Sequence, residues 1–97
     1  MRVGPVYTRV TAGQTDSAIE SEQTITVYSI CFANTNSSAE TSTLEESDGS
    51  TVIQTIQVPA NDSFLLTWPA GQLFPRGLNI TTGATTTATC YHSHGGS

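Results

Sequence analysis

Hydrophobic and polar positions alternate along most of this chain, and that alternation predicts β-strands. Residues 24–34 form the clearest segment. Both of its faces are apolar: Ile25, Val27, Ser29, Cys31 and Ala33 share one, and Tyr28, Ile30 and Phe32 share the other. A strand with two apolar faces is typical of a central position that is covered on both sides. Residues 3–10, 51–58 and 63–68 alternate in the same way.

Turn residues separate these segments at regular intervals. Asp48-Gly49 favours a hairpin because glycine accepts positive φ, and Pro59 begins the next turn. Residues 13–22 and 69–76 are predicted to be loops. The spacing gives about seven short strands, which is typical of an all-β protein. We therefore predict a single-domain antiparallel β-sandwich of immunoglobulin-like or jelly-roll type.

The pattern predicts three regions within this one domain. Residues 1–23 form an N-terminal arm and loop, residues 24–91 form the β-sandwich core, and residues 92–97 form a flexible tail. Pro5 lacks an N–H donor, so residues 3–10 suit an edge strand or an arm. We expect residues 1–11 to form an arm that joins sheets across subunits. Ile53 breaks the alternation of its strand, and we expect it to face a partner.

The supply of large apolar side chains is small. Ile, Leu, Val and Phe total 20 residues of 97, whereas Thr and Ser total 28. A domain with so few apolar groups is marginally stable alone, and association with other chains stabilises it by mass action. The composition therefore predicts a homo-oligomer or a lattice component, with a trimer as one arrangement.

The charge balance excludes several partners. Lysine is absent, the cations are Arg2, Arg9 and Arg76, and eight acids bring the net charge to −5. Nucleic acids and anionic membranes need clustered cations, so neither is an expected partner. No apolar run approaches the roughly 18 residues of a membrane helix, and no secretory leader follows Met1. We expect synthesis in a cytoplasm.

No catalytic motif is present, and we expect neither enzymatic activity nor a cofactor. His92 and His94 form an H-x-H pair at the chain end, where a buried and oriented general base is not expected. Such a pair binds Zn²⁺ only when further ligands are near. A solvated tail is the favoured interpretation. The alternative is a metal site formed by three tails on a trimer axis.

Cys31 and Cys90 lie in the second and the last predicted strands, which can be neighbours in a sandwich. A disulfide would require their Cα atoms to approach within about 6 Å. Without a secretory leader, two reduced thiols that act as small apolar residues are the favoured interpretation.

Three aromatic residues, Trp68, Phe74 and Tyr91, could form a sugar-stacking platform. Trp68 alternates with Phe64 and Leu66, however, so core packing is the favoured interpretation. Leu73 and Phe74 lie between two prolines in the predicted loop. They either cap the end of the sandwich or insert into another subunit. We expect Leu73, Phe74 and the three arginines Arg2, Arg9 and Arg76 to make subunit contacts.

Several segments together resemble small β-sandwich virion proteins of tailed bacteriophages. They are TITVYSICFAN (24–34), VPANDSFLLTW (58–68) and GLNITTG (77–83), with the Asp48-Gly49 turn. The resemblance implies a non-enzymatic structural protein located in the virion and made in the host bacterial cytoplasm. It implies a capsid cement or decoration protein that binds the major capsid protein or other virion subunits. Alternatives are a neck or tail accessory protein and a carbohydrate-binding module for host attachment. The resemblance implies no particular functional residues in this chain.

Overall fold

The computed structural model describes residues 6–14, 17–19, 23–46 and 51–93 of the 97. These ranges contain eight strands: β1 (Val6–Val10), β2 (Ser17–Ile19), β3 (Ile25–Asn34), β4 (Glu40–Glu45), β5 (Val52–Val58), β6 (Asp62–Phe74), β7 (Leu78–Thr81) and β8 (Thr86–His92). No helix with the length and hydropathy of a membrane span occurs in these ranges.

The strands form two antiparallel four-stranded sheets that pack against each other. Sheet I has the order β1-β8-β3-β6, and sheet II has the order β2-β7-β4-β5. Every connection crosses from one sheet to the other, except the one that joins β4 and β5 in sheet II. This is the strand order of an eight-stranded jelly roll, and it differs from the seven-stranded immunoglobulin arrangement. The predicted all-β sandwich is confirmed, and the jelly-roll alternative is the one observed.

The sandwich begins earlier in the chain than predicted. Strand β1 pairs with β8 from Val6↔His92 to Val10↔Ala88, and Val10 is buried. Residues 6–10 therefore belong to the sandwich and do not form a free arm, whereas residues 1–5 lie outside the described residues. The short strand β2 lies in a segment predicted to be a loop, because three residues are too few to show alternation. These two strands place the boundary of the core before residue 24.

Apolar side chains from both sheets fill the space between them. Phe32 is fully buried at the centre of sheet I, and Leu66 and Trp68 pack against the core from β6. The Trp68 ring meets the Phe74 ring edge to face, with centroids 6.1 Å apart. Core packing of Trp68 is thus confirmed. The buried apolar set is Val10, Ile19, Ile25, Val27, Ile30, Phe32, Leu44, Ile56, Val58, Phe74, Leu78, Ile80, Ala88 and Cys90.

A bulge in β3 changes which side chains face the core. Val27 pairs with His92 and Ser29 pairs with the next residue, Tyr91, so Tyr28 has no opposite residue on β8. Because the extra residue reverses the alternation, Ile30 and Phe32 join Ile25 and Val27 on the inner side. The predicted grouping of Ser29, Cys31 and Ala33 with Ile25 and Val27 is therefore wrong.

Two further irregularities shape β5 and β6. Glu45 pairs with Val52 and Leu44 pairs with Gln54, which leaves Ile53 as the extra residue. In β6, residues 68–71 have no partners on β3, yet the strand continues to Phe74. The predicted loop over 69–76 is thus mostly strand. Gly71 has φ +86°, and a Cβ there would lie 2.5 Å from Thr26 Cγ2, so only glycine fits.

A polar cluster joins the two sheets at the end of β3. We call it the Glu40 cluster; its members are Asn34, Asn36, Glu40, Thr85 and Thr86. The Glu40 carboxylate accepts hydrogen bonds from Thr86 Oγ1 (2.7 Å), Thr85 N (3.0 Å) and Asn36 Nδ2 (3.0 Å). Asn34 Nδ2 donates to the Val58 carbonyl oxygen at 3.2 Å. The cluster therefore connects β3 and the start of β8 in sheet I with β4 and β5 in sheet II.

The variant Glu40→Gln tests this cluster, because its effect on the stability of the fold should depend on pH. The hydrogen bonds from Thr86, Thr85 and Asn36 hold the pKa of the Glu40 carboxyl below its ordinary value of 4.5. The folded state thus binds this proton less readily than the unfolded chain. The resulting stability is present above the unfolded pKa and is lost as the pH falls through the lowered folded pKa. We expect the Tm difference between wild type and E40Q to be largest at neutral pH and to shrink in acid, as measured by circular dichroism.

Glu46→Gln is the matched control, since Glu46 is exposed and lies outside the cluster. This variant should melt close to wild type at neutral pH. A Tm difference for E40Q that stays constant from neutral to strongly acidic pH would contradict the role assigned to the carboxylate.

Phe32→Ala and Phe64→Ala compare two rings that are cross-strand partners. Phe32 is fully buried and Phe64 is 38% exposed. We expect Phe32→Ala to lose about 3–5 kcal/mol of unfolding free energy, because a buried ring leaves a cavity. Phe64→Ala should lose clearly less, since part of its ring already contacts solvent. Urea unfolding measures both, with Phe32→Leu as a milder third variant. Equal losses at the two positions would argue against the described core.

Candidate interaction surface

The predicted contact residues do not form one site. Leu73 is 55% exposed on the outward side of sheet I, and Arg9 is exposed on the same side. Phe74 is only 8% exposed and packs in the core, so the prediction that its side chain inserts into another subunit is wrong. The physical reason is its pairing with Ile25, which turns the ring inward. Arg76 is exposed at the end of the sandwich, and Arg2 lies outside the described residues.

The two cysteines lie on opposite sides of sheet I. Cys90 pairs with Ile30 and faces the core, whereas Cys31 pairs with Thr89 and faces outward. Both thiols are free. Because adjacent strand positions point to opposite faces, a Cys31–Cys90 disulfide is sterically excluded and that alternative is wrong. Burial raises the pKa of the Cys90 thiol to about 12.

His92 belongs to the sandwich and not to a solvated tail. It is fully buried as the last residue of β8. Its Nδ1 donates to the Ser93 carbonyl oxygen at 2.7 Å, and its Nε2 accepts from Thr8 Oγ1 at 2.8 Å. Both ring nitrogens are thus used within the fold. His94 lies outside the described residues, and within those residues no group of three His, Cys, Asp or Glu side chains could hold a metal ion.

Exposed apolar side chains are concentrated on the outward side of sheet I, which we call the outer face. Five of the eight large apolar side chains that are exposed lie there: Tyr7, Tyr28, Leu65, Leu73 and Tyr91. Tyr7 and Leu65 are 66% and 60% exposed. The Tyr7 and Tyr91 rings contact each other, with centroids 5.9 Å apart. A cluster of this kind is typical of a protein-binding surface.

The strand register arranges the outer face in rows that cross the sheet. One row runs Tyr7–Tyr91–Ser29–Thr67 from β1 to β6, and the next runs Arg9–Thr89–Cys31–Leu65. The side chains at the centre are small and half-buried, among them Ser29, Cys31 and Thr89. Large rings at one side therefore border a shallow floor of small residues.

Acidic groups are absent from the outward positions of this sheet, as far as the described residues show. Asp62 begins β6 with the same parity as Phe64 and Leu66, which face the other sheet. Sheet II differs, since the carboxylate of Glu45 lies on its outward side. Glu45 accepts hydrogen bonds from Thr43 Oγ1 at 2.9 Å and from Thr81 Oγ1 at 3.2 Å. The two sides of the sandwich thus differ in charge as well as in hydropathy.

A second surface lies at the end of the sandwich opposite the Glu40 cluster. It is a cleft of about 260 Å³ lined by Glu46, Ile53, Phe74, Pro75, Arg76 and Gly77. Ile53 is 44% exposed because the β5 bulge turns it out of the sheet, and it contributes apolar surface beside the Phe74 ring. The cleft therefore combines an apolar floor with one cationic and one anionic side chain. The expectation that Ile53 faces a partner remains a prediction.

The sequence pattern does not predict most of the outer face. It groups Tyr91 with Trp68 and Phe74 as a sugar platform, yet those two rings face the core. It does not single out Tyr7, Tyr28 or Leu65. One signal was available, because the unbroken apolar run Phe64-Leu65-Leu66 requires an apolar residue on each side of the strand.

No protein family, curated protein or solved structure matches this chain.

The two thiols should differ sharply in reactivity. In dilute solution, one equivalent of a thiol-reactive disulfide reagent should label Cys31 quickly, because this thiol lies on the outward side. Cys90 should react only after unfolding, since its thiol is buried and rarely ionised. Mass spectrometry of labelled peptides measures both rates, and Cys31→Ser is the control that removes the fast phase. Fast labelling of Cys90 in the folded protein would contradict the described faces of sheet I.

Proposed function

We propose that this chain is a non-enzymatic structural component of a bacteriophage virion, and that it acts as a capsid cement or decoration protein that binds between capsid subunits. The observation that carries the proposal is the distribution of exposed apolar side chains around a filled core. Six of the eight exposed large apolar side chains lie on two separate surfaces, five on the outer face and Ile53 at the cleft. A protein with two apolar surfaces can contact two neighbours at once.

The architecture supports this proposal. Jelly rolls recur in viral capsid proteins and in lectins, which is an analogy at the level of the fold alone. Edge strands β5 and β6 present backbone groups beside the exposed Val52 and Phe64. Backbone hydrogen bonds along such an edge can add affinity to an apolar contact.

The cleft suits a contact with a shell subunit. Its apolar floor at Ile53 and Phe74 can receive one apolar side chain of a partner. Arg76 and Glu46 lie beside that floor and can align polar groups of the same partner segment. Charged groups at the rim of an interface favour correct orientation more than they add affinity.

A carbohydrate-binding module is the second candidate. It is favoured by one observation, the exposed pair Tyr7 and Tyr91, whose rings lie at an angle of 47° on the outer face. Exposed aromatic rings can stack on sugars. The floor of Ser and Thr side chains beside them offers hydroxyl groups for hydrogen bonds.

Virion association is tested with particles of the phage whose genome encodes the chain. Mass spectrometry of gradient-purified virions should detect the chain in a fixed ratio to the shell protein. Purified chain added to particles that lack it should cosediment with them. Ile53→Asp should weaken this binding at least tenfold, because it places a charge on the apolar floor of the cleft. Thr41→Asp is the matched control and should bind like wild type, because Thr41 is exposed on the inner strand β4 and does not line the cleft.

Two outcomes would overturn the proposal. The first is absence of the chain from purified virions of cells that express it. The second is equal binding of wild type and Ile53→Asp, which would remove the cleft from the contact. Binding of the chain to host glycans, with loss of that binding in Tyr7→Ala, would favour the second candidate.

A further inference from the structure

The outer face is complementary to itself. In the row Tyr7–Tyr91–Ser29–Thr67, both large rings lie on the β1 and β8 side, and both small residues lie on the β3 and β6 side. A second copy, rotated by 180° about an axis parallel to the strands between β8 and β3, faces the first with this order reversed. Its rings then lie over Ser29 and Thr67 of the first copy.

The next row fits the same rotation. In the order Arg9–Thr89–Cys31–Leu65, Arg9 of one copy lies over Leu65 of the other, and Thr89 lies over Cys31. The aliphatic stem of an arginine can cover a leucine while its guanidinium group reaches water at the rim. In a twofold interface, a residue pair that is in contact across the axis occurs twice, once in each direction. Both rows meet this requirement, since Arg9 of each copy lies over Leu65 of the other.

Charge favours a second copy on this side and not on the other. Each chain carries a net charge of −5, so two copies repel each other wherever their acids face. The outward positions of sheet I that the structure describes carry Arg9 and no acid. The outward side of sheet II carries the carboxylate of Glu45, a residue that is 9% exposed and accepts hydrogen bonds from two threonines. Two copies can therefore approach through sheet I with the least repulsion.

The area is sufficient for a weak dimer. Four strands at about 4.8 Å spacing, with about seven residues at 3.3 Å rise, give roughly 450 Å² per copy. Two copies then bury about 900 Å² in total, slightly below the roughly 1,000 Å² that stable specific interfaces exceed and within the range of weak, transient ones. An interface of this size is expected to form a reversible dimer that depends on protein concentration.

We propose that the outer face of sheet I joins two copies of this chain in a twofold dimer. In it, the Tyr7 and Tyr91 rings of each copy pack on the small-residue floor of the other. The dimer goes beyond the proposed virion role and does not require it. It assigns the outer face to a second copy, so one of the two neighbours is another chain of the same protein, and the cleft and the β5–β6 edge remain available for a shell partner.

Sedimentation equilibrium of the full chain tests the dimer without any particle. The mass should rise with concentration from 10.2 kDa to twice that value. Tyr91→Asp and Leu65→Asp should each raise the dimer dissociation constant at least tenfold, because each places an acid inside an apolar contact. Gln57→Asp is the matched control, since it adds an acid to the exposed outward side of sheet II. Circular dichroism melts establish that each variant is folded.

Crosslinking tests the orientation. The twofold rotation places the two Cys31 residues on either side of the axis, within reach of a short bismaleimide. Wild type should give a crosslinked dimer at high concentration, and Cys31→Ser should give none. Labelling of Cys31 by the thiol reagent should also slow as the protein concentration rises.

A chain that stays monomeric at about millimolar concentration, or that forms a trimer, would overturn the twofold dimer, as would a dimer unaffected by Tyr91→Asp. These results are separable from the virion test. If the chain is a monomer that binds particles, only the dimer proposal is refuted. If the chain is a dimer that is absent from virions, only the virion role is refuted.

Discussion

Packing between the two sheets uses one side of each sheet only, and the rest of the structure follows from this constraint. The chain has few large apolar side chains, and most of them fill the space between sheet I and sheet II. Within the described residues, nothing from the same chain covers the outward side of sheet I. Apolar residues placed there, such as Tyr7 and Leu65, therefore remain in contact with water unless another molecule covers them.

Irregularities in the strands decide which apolar residues are exposed. Tyr28 and Ile53 are the extra residues of bulges in β3 and β5, and both are partly exposed. Beside Tyr28, Gly71 leaves room for the tyrosine ring, whose Cε1 would lie 3.3 Å from a Cβ at that position. A bulge thus changes the direction of a side chain without ending the strand. Both proposed contact surfaces contain a residue placed in this way.

Hydrogen bonds between polar groups stabilise the fold where apolar groups are lacking. The Glu40 cluster joins the sheets at one end, and His92 uses both ring nitrogens within the fold near the other. These polar residues are part of the architecture, so their chemistry is not available for a ligand. On the outward side of sheet I, the exposed side chains that the structure describes are apolar, hydroxyl-bearing or small, with Arg9 as a charged group. Such a surface suits contact with another protein.

Local sequence patterns are sufficient to predict the class of the fold and part of its core. Alternation, β-branched residues and turn residues act locally, so the all-β sandwich and the core role of Trp68 could be predicted. The small apolar content also predicts association with other chains, which stays a prediction.

Tertiary structure alone decided the jelly-roll order, the continuation of β6 to Phe74 and the separation of Cys31 from Cys90 on opposite sides of the sheet. Those features depend on pairing between strands that are distant in sequence. The extra residue Tyr28 reverses the side of the sheet to which every later side chain of β3 points. No local pattern marks where such a residue falls.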